Sequence, residues 1–370
     1  MLKGVTHVYT DLDGTLFAPG GRLLAAHDGS PSIATAQALV ALKEAGIEVI
    51  VVTGRNRAQG NEIMRLLNLQ TFIGEFGCVV QEGFGARAQT IYALGDWERC
   101  GLANGLASGL ASGLVDPLAP DELPLNTTPA ELIIGSGVIE RLIAAAPGKL
   151  EPHNPYEVTR EVTLMLRGYI DAELAGRVLN ECPLPLQLLD NGIIYPLTHT
   201  LVDCPEIHIY HILPRGAGKG ATVAADMARR GLTRAQTVSI GDAVGDMEMG
   251  EHTGSFVLVN GGAVEKVVDG YPHYHIGDLA TALSSIPASH AASTTPGSGF
   301  GESGSGFGEP GSGFDDSGSG FGLPDSDFSK PDSSLVVPNA NFGALFITQG
   351  KTADGWAEFA HALLAAQAKE

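Results

Sequence analysis

Basic residues are scarce in this chain. There are 22 Lys and Arg against 42 Asp and Glu in 370 residues, a net charge of −20. A field of that sign repels polyanions, which excludes nucleic acid and an anionic membrane surface as partners. Any phosphorylated ligand must therefore be drawn in by local groups, a metal and a few Lys or Arg. Cysteine is rare too, four residues far apart and no CxxC pair, so neither a zinc site nor a redox pair is expected. Free thiols in a reducing cytoplasm fit that usage. No apolar run reaches the roughly 18 residues of a membrane span, and no signal-peptide core precedes the first strand. The expectation is a soluble cytoplasmic protein, long enough for two domains and a substantial core.

What is present begins with Val8-Tyr9-Thr10-Asp11-Leu12-Asp13-Gly14-Thr15-Leu16. A short apolar run ends in two carboxylates two residues apart, and a Gly breaks the strand. Side chains at i and i+2 of an extended segment point the same way. Asp11 and Asp13 thus converge on one spot, which is costly unless a cation neutralises them or one takes a proton. A hard, oxygen-liganded ion such as Mg²⁺ suits that chemistry. The plainer alternative is an Asp-rich turn capping a helix.

Further on, Ser30-Pro31 supplies an N-cap and an N1 proline for a helix over 32–45, with Ile33, Ala36, Leu39, Val40 and Leu42 at helical spacing. Ile47 to Val52 is a nearly continuous apolar strand, as in a parallel sheet covered on both faces. It ends in Thr53-Gly54-Arg55, and a helix over 58–67 and a short strand and turn over 72–80 follow. This alternation is that of a doubly wound parallel α/β sheet.

Between Gly83 and Pro214 the pattern changes. Residues 101–115 carry a four-residue period, GLAN-GLAS-GLAS-GLVD, open to two readings: a helix with a Leu stripe and a Gly stripe, or a flexible stretch. Residues 161–169 read as a strand, 186–196 as a hairpin turning at Asp190-Asn191-Gly192, and 206–213 as another strand. The block looks like an inserted second domain. The parallel pattern resumes with Gly216-Ala217-Gly218-Lys219-Gly220 opening a helix over 221–230, then the strand Thr237 to Ile240 and its exit Gly241-Asp242-Ala243-Val244-Gly245-Asp246, then a strand over 255–259.

From Ser293 the composition collapses into GSGFGES, GSGFGEP, GSGFDDS and GSGFGLP, head to tail over 297–324. Such a repeat cannot bury a core and reads as a flexible acidic linker, its Phe residues being alternative contact points for a partner. Leu345 to Thr348 and a helix over 353–366 are again globular in pattern.

Asp11 and Asp13, Thr53, Lys219, and Asp242 with Asp246 all fall at strand exits or helix starts of the parallel part, where open α/β sheets bind ligands. In order they resemble the four motifs of the haloacid dehalogenase superfamily of phosphohydrolases, over residues 4–82 and 212–260. The resemblance implies a Rossmann-like core with an inserted α/β cap, in the Cof-like branch with mannosyl-3-phosphoglycerate and sucrose-phosphate phosphatases. It divides the chain into a core (1–83, 212–288 and 337–370), a cap (84–211) and a linker (289–336). It further implies a Mg²⁺-dependent phosphomonoesterase acting on a small phosphorylated metabolite, a sugar phosphate.

In that scheme Asp11 is the nucleophile and Asp13 the general acid and base. The metal is held by Asp11, the Asp13 carbonyl and Asp242, with Asp246 behind them, orienting Lys219 or metal-bound water. Leu12, Gly14, Thr53, Gly54, Arg55 and Lys219 bind phosphate, Thr53 and Lys219 meeting the oxygens where charge accumulates. One departure is Gly245, where the family usually has Asn. Arg160, His153 and Arg167 lie in the cap region without spacing that singles them out. Two other readings remain. GAGKGAT suggests a nucleotide-binding loop, although Leu213 and Gly220 stand where a Walker A loop needs Gly and Ser or Thr. A non-catalytic phospholigand-binding protein is the other.

Overall fold

A computed structural model describes residues 2–99, 128–155, 159–196, 198–261, 264–267, 271–278 and 343–368. Thirteen strands, β1–β13, run in chain order through them: β1 (His7–Thr10), β2 (Glu48–Val52), β3 (Thr71–Gly74), β4 (Val79–Glu82), β5 (Gln89–Tyr92), β6 (Leu150–Pro152), β7 (Leu164–Gly168), β8 (Leu186–Ile193), β9 (His208–Pro214), β10 (Thr237–Gly241), β11 (Phe256–Asn260), β12 (His273–His275) and β13 (Leu345–Lys351). They form a nine-stranded sheet ordered β12-β13-β11-β10-β1-β2-β3-β4-β5 and a four-stranded sheet ordered β6-β7-β9-β8.

From β12 to β3 the large sheet is parallel throughout, and β4 and β5 add to its edge antiparallel. The side-chain alternation explains the unbroken apolar runs. Val8, Val49 and Val51 pack on one face with Leu39, Leu42 and Trp356. Tyr9, Ile50 and Val52 pack on the other with Val223 and Met227. Both faces are covered by helices, so neither half of the period-2 pattern can be polar. The fold is a doubly wound α/β sheet, and β13 with the helix Thr352–Ala368 completes it.

The four-stranded sheet is antiparallel and packs its own apolar cluster, in which Leu164, Leu166, Tyr210 and Ile212 meet the helices Pro129–Gly135, Val138–Ala145 and Ala172–Asn180. Phe76, Cys78 and Val79 of the large-sheet segment join this cluster.

Three local expectations are corrected. The helix after Ser30-Pro31 starts at Ala34, with Ile33 as N-cap and no side-chain cap. The Ser30 hydroxyl donates instead to Asp28 Oδ1 at 2.6 Å, closing a tight turn before the helix. Its buried face is Thr35, Ala38, Leu39 and Leu42, while Ile33 and Val40 are exposed. Residues 186–196 do not fold as a hairpin: β8 is one strand paired along β9, and Asp190-Asn191-Gly192 forms a bulge in it. Asp190 Oδ1 accepts the Gly192 N–H at 2.8 Å, so the Asx turn closes locally without reversing the chain. The 101–115 period and the 297–324 repeat lie outside the described residues. Among the described residues no helix is long and apolar enough to cross a membrane.

Candidate active site

Because β1, β2 and β10 are parallel neighbours, their C-terminal ends share one edge, and the chain leaves each of them at a candidate residue. Asp11 N–H donates to the Ile240 carbonyl at 2.9 Å, extending the β1–β10 ladder by one step before the turn. This holds the Asp11 backbone rigidly beside the β10 exit. Thr10 supports it from below: its hydroxyl donates to the Asp11 carbonyl at 2.7 Å and accepts from Trp356 Nε1 at 3.0 Å.

Lys219, at the start of the helix Lys219–Arg230, reaches into this edge. Its Nζ donates to Asp11 Oδ1 and to Asp246 Oδ1, each at 2.6 Å. Asp246 is held by its other oxygen, which accepts from Ala243 N–H at 3.1 Å. Asp242 accepts from the Thr15 hydroxyl at 2.9 Å. Gly14 lies between, at φ +87°, where a Cβ would run into the Asp242 carboxylate. The turn DLDGT therefore needs Gly for two reasons, a left-handed backbone and a close approach.

Asp11, Asp242 and Asp246 form a carboxylate triad, with one ligand atom from each all within 4.8 Å of one another. Burial pushes the Asp11 carboxyl well above the ordinary range; Lys219 opposes this, and Asp246 and Asp242 add to it. Asp242 is pushed up to about 7, by burial first and then by Asp246. Burial disfavours the charged form of Lys219, but Asp11 and Asp246 outweigh it and hold the ammonium protonated. One ammonium against three carboxylates leaves a buried excess of negative charge, which a divalent, oxygen-seeking cation would neutralise.

Residues 8–92 match the family model for haloacid dehalogenase-like hydrolases. Over this segment the chain is similar to haloacid dehalogenase-like hydrolases. No curated protein sequence is a match for it. Among solved structures, the sucrose-phosphatase from Synechocystis sp. PCC6803, in complex with sucrose and phosphate, is similar at 14% identity and a TM-score of 0.44, over 73% of this chain and 88% of that one. A haloacid dehalogenase-like hydrolase from B. subtilis is similar at 16% identity and a TM-score of 0.39, over 69% and 89%. At these values the similarity is weak.

The other candidate residues are placed as follows. Asp13 is partly exposed and has both carboxylate oxygens on Arg55, from Nε at 2.8 Å and Nη2 at 2.5 Å. Arg55 is thus committed to Asp13. Thr53 is buried, and its hydroxyl accepts from Arg55 N–H at 3.3 Å. The Gly54 carbonyl accepts from Arg160 Nη2 at 2.7 Å. Leu12 packs in the core, and the Gly14 N–H donates to the Phe17 carbonyl. Gly245 has nothing within 4 Å of where its Cβ would be. In the second sheet, Arg167 pairs with Glu151 at 2.6 Å and His153 is buried.

Sequence reasoning missed three contributors. Thr15 belongs to the DLDGT turn already singled out, and its hydroxyl was the available signal. Trp356 and Glu75 carry none, because their partners are hundreds or tens of residues away: Trp356 meets Thr10, and Glu75 meets residues 161–163.

Proposed function

We propose that the chain is a Mg²⁺-dependent phosphomonoester hydrolase that works through an aspartyl-phosphate on Asp11. Its substrate is a small phosphorylated metabolite, and a sugar phosphate is the class the family resemblance favours. The observation that carries this reading is the buried meeting of Asp11 with Lys219 Nζ at 2.6 Å, beside Asp242 and Asp246. Asp11, Asp242 and the Asp13 carbonyl would hold the ion, which when bound screens the repulsion between the attacking carboxylate and the phosphate.

The chain's own groups do the rest. An Asp11 oxygen attacks phosphorus, and the bond from phosphorus to the ester oxygen breaks. The leaving oxygen takes a proton from Asp13, whose bidentate pair with Arg55 must loosen for the transfer. Water then attacks phosphorus, gives its proton to Asp13 and displaces the Asp11 oxygen, releasing inorganic phosphate. Lys219 and Thr53 donate to the equatorial oxygens, and Asp246 keeps Lys219 aimed at Asp11. Residues 1–83, 212–288 and 337–370 serve as the catalytic core, 84–211 as the cap that selects the leaving group, and 289–336 as a linker. We place the protein in the cytoplasm.

The nucleotide-loop reading of GAGKG is disfavoured because its Lys is already paired with two carboxylates. Release of phosphate from p-nitrophenyl phosphate with MgCl₂, lost in Asp11→Asn and in EDTA, is the expected result. Folded wild-type protein that releases none would leave a non-catalytic phospholigand-binding role.

A further inference from the structure

Glu75 and Phe76, which follow β3, occupy left-handed backbone at φ +50° and +57°. Residues with side chains adopt that region reluctantly, so two in succession must be held there by their surroundings. Both are buried, and Glu75 is fully inaccessible. A buried carboxylate of that kind needs several donors.

The donors come from the other sheet. Glu75 Oε1 accepts from Glu161 N–H at 2.8 Å, and Oε2 accepts from Val162 N–H at 3.0 Å, Thr163 N–H at 2.8 Å and the Thr163 hydroxyl at 3.2 Å. These residues lead into β7. The backbone of the same strained pair braces the loop after β2, since Glu75 N–H donates to the Arg55 carbonyl at 2.9 Å and Phe76 N–H to the Thr53 carbonyl at 3.1 Å. Arg160 closes the circuit by donating to the Thr163 hydroxyl and to the Gly54 carbonyl, both at 2.7 Å. The Phe76 ring completes it. It lies 4.1 Å from the His211 ring of β9, with Lys219 Nζ 5.5 Å from its centroid, and it occupies the space a side chain at Gly54 would need.

We infer that Glu75 is a positioning residue: its carboxylate docks segment 161–163 onto the Thr53-Gly54-Arg55 loop and so sets where the second sheet stands over the reacting phosphate. The inference rests on the phosphatase reading for its catalytic consequence and on hydrogen bonds alone for the docking. Glu75 does not touch the reacting atoms. It acts through Arg55, Thr53 and Arg160.

The test uses the full chain with Glu75→Ala, Glu75→Gly and Glu75→Gln. Gly relaxes the left-handed backbone while removing the carboxylate, so it separates the clamp from the strain and protects against a variant that fails to fold. Gln keeps one acceptor oxygen for the donors now on Oε2 but sets an amide NH₂ against the Glu161 N–H. In Ala and Gly, kcat for p-nitrophenyl phosphate with MgCl₂, measured below the melting transition, should fall about tenfold with KM changed far less, as expected when alignment is lost rather than binding. Gln should recover part of that loss. Amide hydrogen exchange at residues 161–163 should accelerate in Ala and Gly, while β1 and β10 keep their protection. Unchanged exchange at 161–163 would overturn the docking, and wild-type kcat in folded Glu75→Gly would overturn the positioning role. Wild-type protein that releases no phosphate would sink the phosphatase reading and the kcat half of the inference, while exchange still decides the docking.

Discussion

Replacing Lys219 with Met removes the ammonium that pairs with both Asp11 and Asp246, while keeping most of the side-chain volume. The three side chains are 9%, 8% and 3% exposed, and each ion pair is 2.6 Å long. Breaking a buried pair by deleting one partner costs about 3–5 kcal/mol, because the remaining charge stays buried and uncompensated. Here burial already pushes the Asp11 carboxyl toward its protonated form, so one of the two orphaned carboxylates escapes by taking a proton. That places the loss near the lower end, about 3 kcal/mol. Urea unfolding in EDTA measures it. Added MgCl₂ should restore more stability to the variant than to the wild type, since an ion on the triad stabilises by mass action. Asp246→Asn combined with Lys219→Met should recover much of the loss, because it removes the carboxylate that stays charged once the other has taken a proton. Turnover of p-nitrophenyl phosphate in Lys219→Met should fall about 10²–10³-fold, the usual effect of deleting a charge-stabilising donor. Wild-type stability in EDTA, or turnover within about threefold of wild type, would refute the assigned charge balance.

Gly14→Ala should destabilise the chain by about 1–3 kcal/mol through its left-handed backbone alone, and the added Cβ should displace Asp242; urea melts and Mg²⁺ titration by calorimetry read the two effects separately. Gly245→Asn meets open space, so it should fold normally and raise turnover about fivefold, the worth of one hydrogen bond of ~1 kcal/mol; an unchanged or lower kcat counts against that. His153 is pushed down to about 4, by burial first and then by Arg167 and Arg160, with Glu151 opposing. The unfolded chain therefore binds the extra proton between pH 6.5 and about 4. Stability from this group is complete above 6.5 and falls as pH drops through the window. His153→Phe should flatten that part of the pH–stability curve, measured by thermal melts.

Much of the parallel sheet is legible in the chain itself. Continuous apolar strands ending in Asp, Thr-Gly-Arg or Gly-Asp can only be buried on both faces with polar groups at one end, and β1, β2 and β10 do this. The bulge at Asp190-Asn191-Gly192 was not legible, because the same Asx turn suits a reversal or a bulge and the choice lies with the partner strand, β9. The start of the first helix was missed for a similar reason: Ser30 had a nearer partner in Asp28.

The candidate site divides in the same way. Residue types and their order determined the chemistry, since carboxylates, a hydroxyl and a lysine at strand exits are local features of the sequence. Tertiary structure alone decided the pairings Arg55 with Asp13, Thr15 with Asp242, and Glu75 with a segment 86 or more residues away, and it chose Lys219 as the partner of Asp246 where metal-bound water was the alternative. Local sequence sets which groups a strand end presents. Which of them share one buried space depends on how distant segments pack, and no period or spacing encodes that distance.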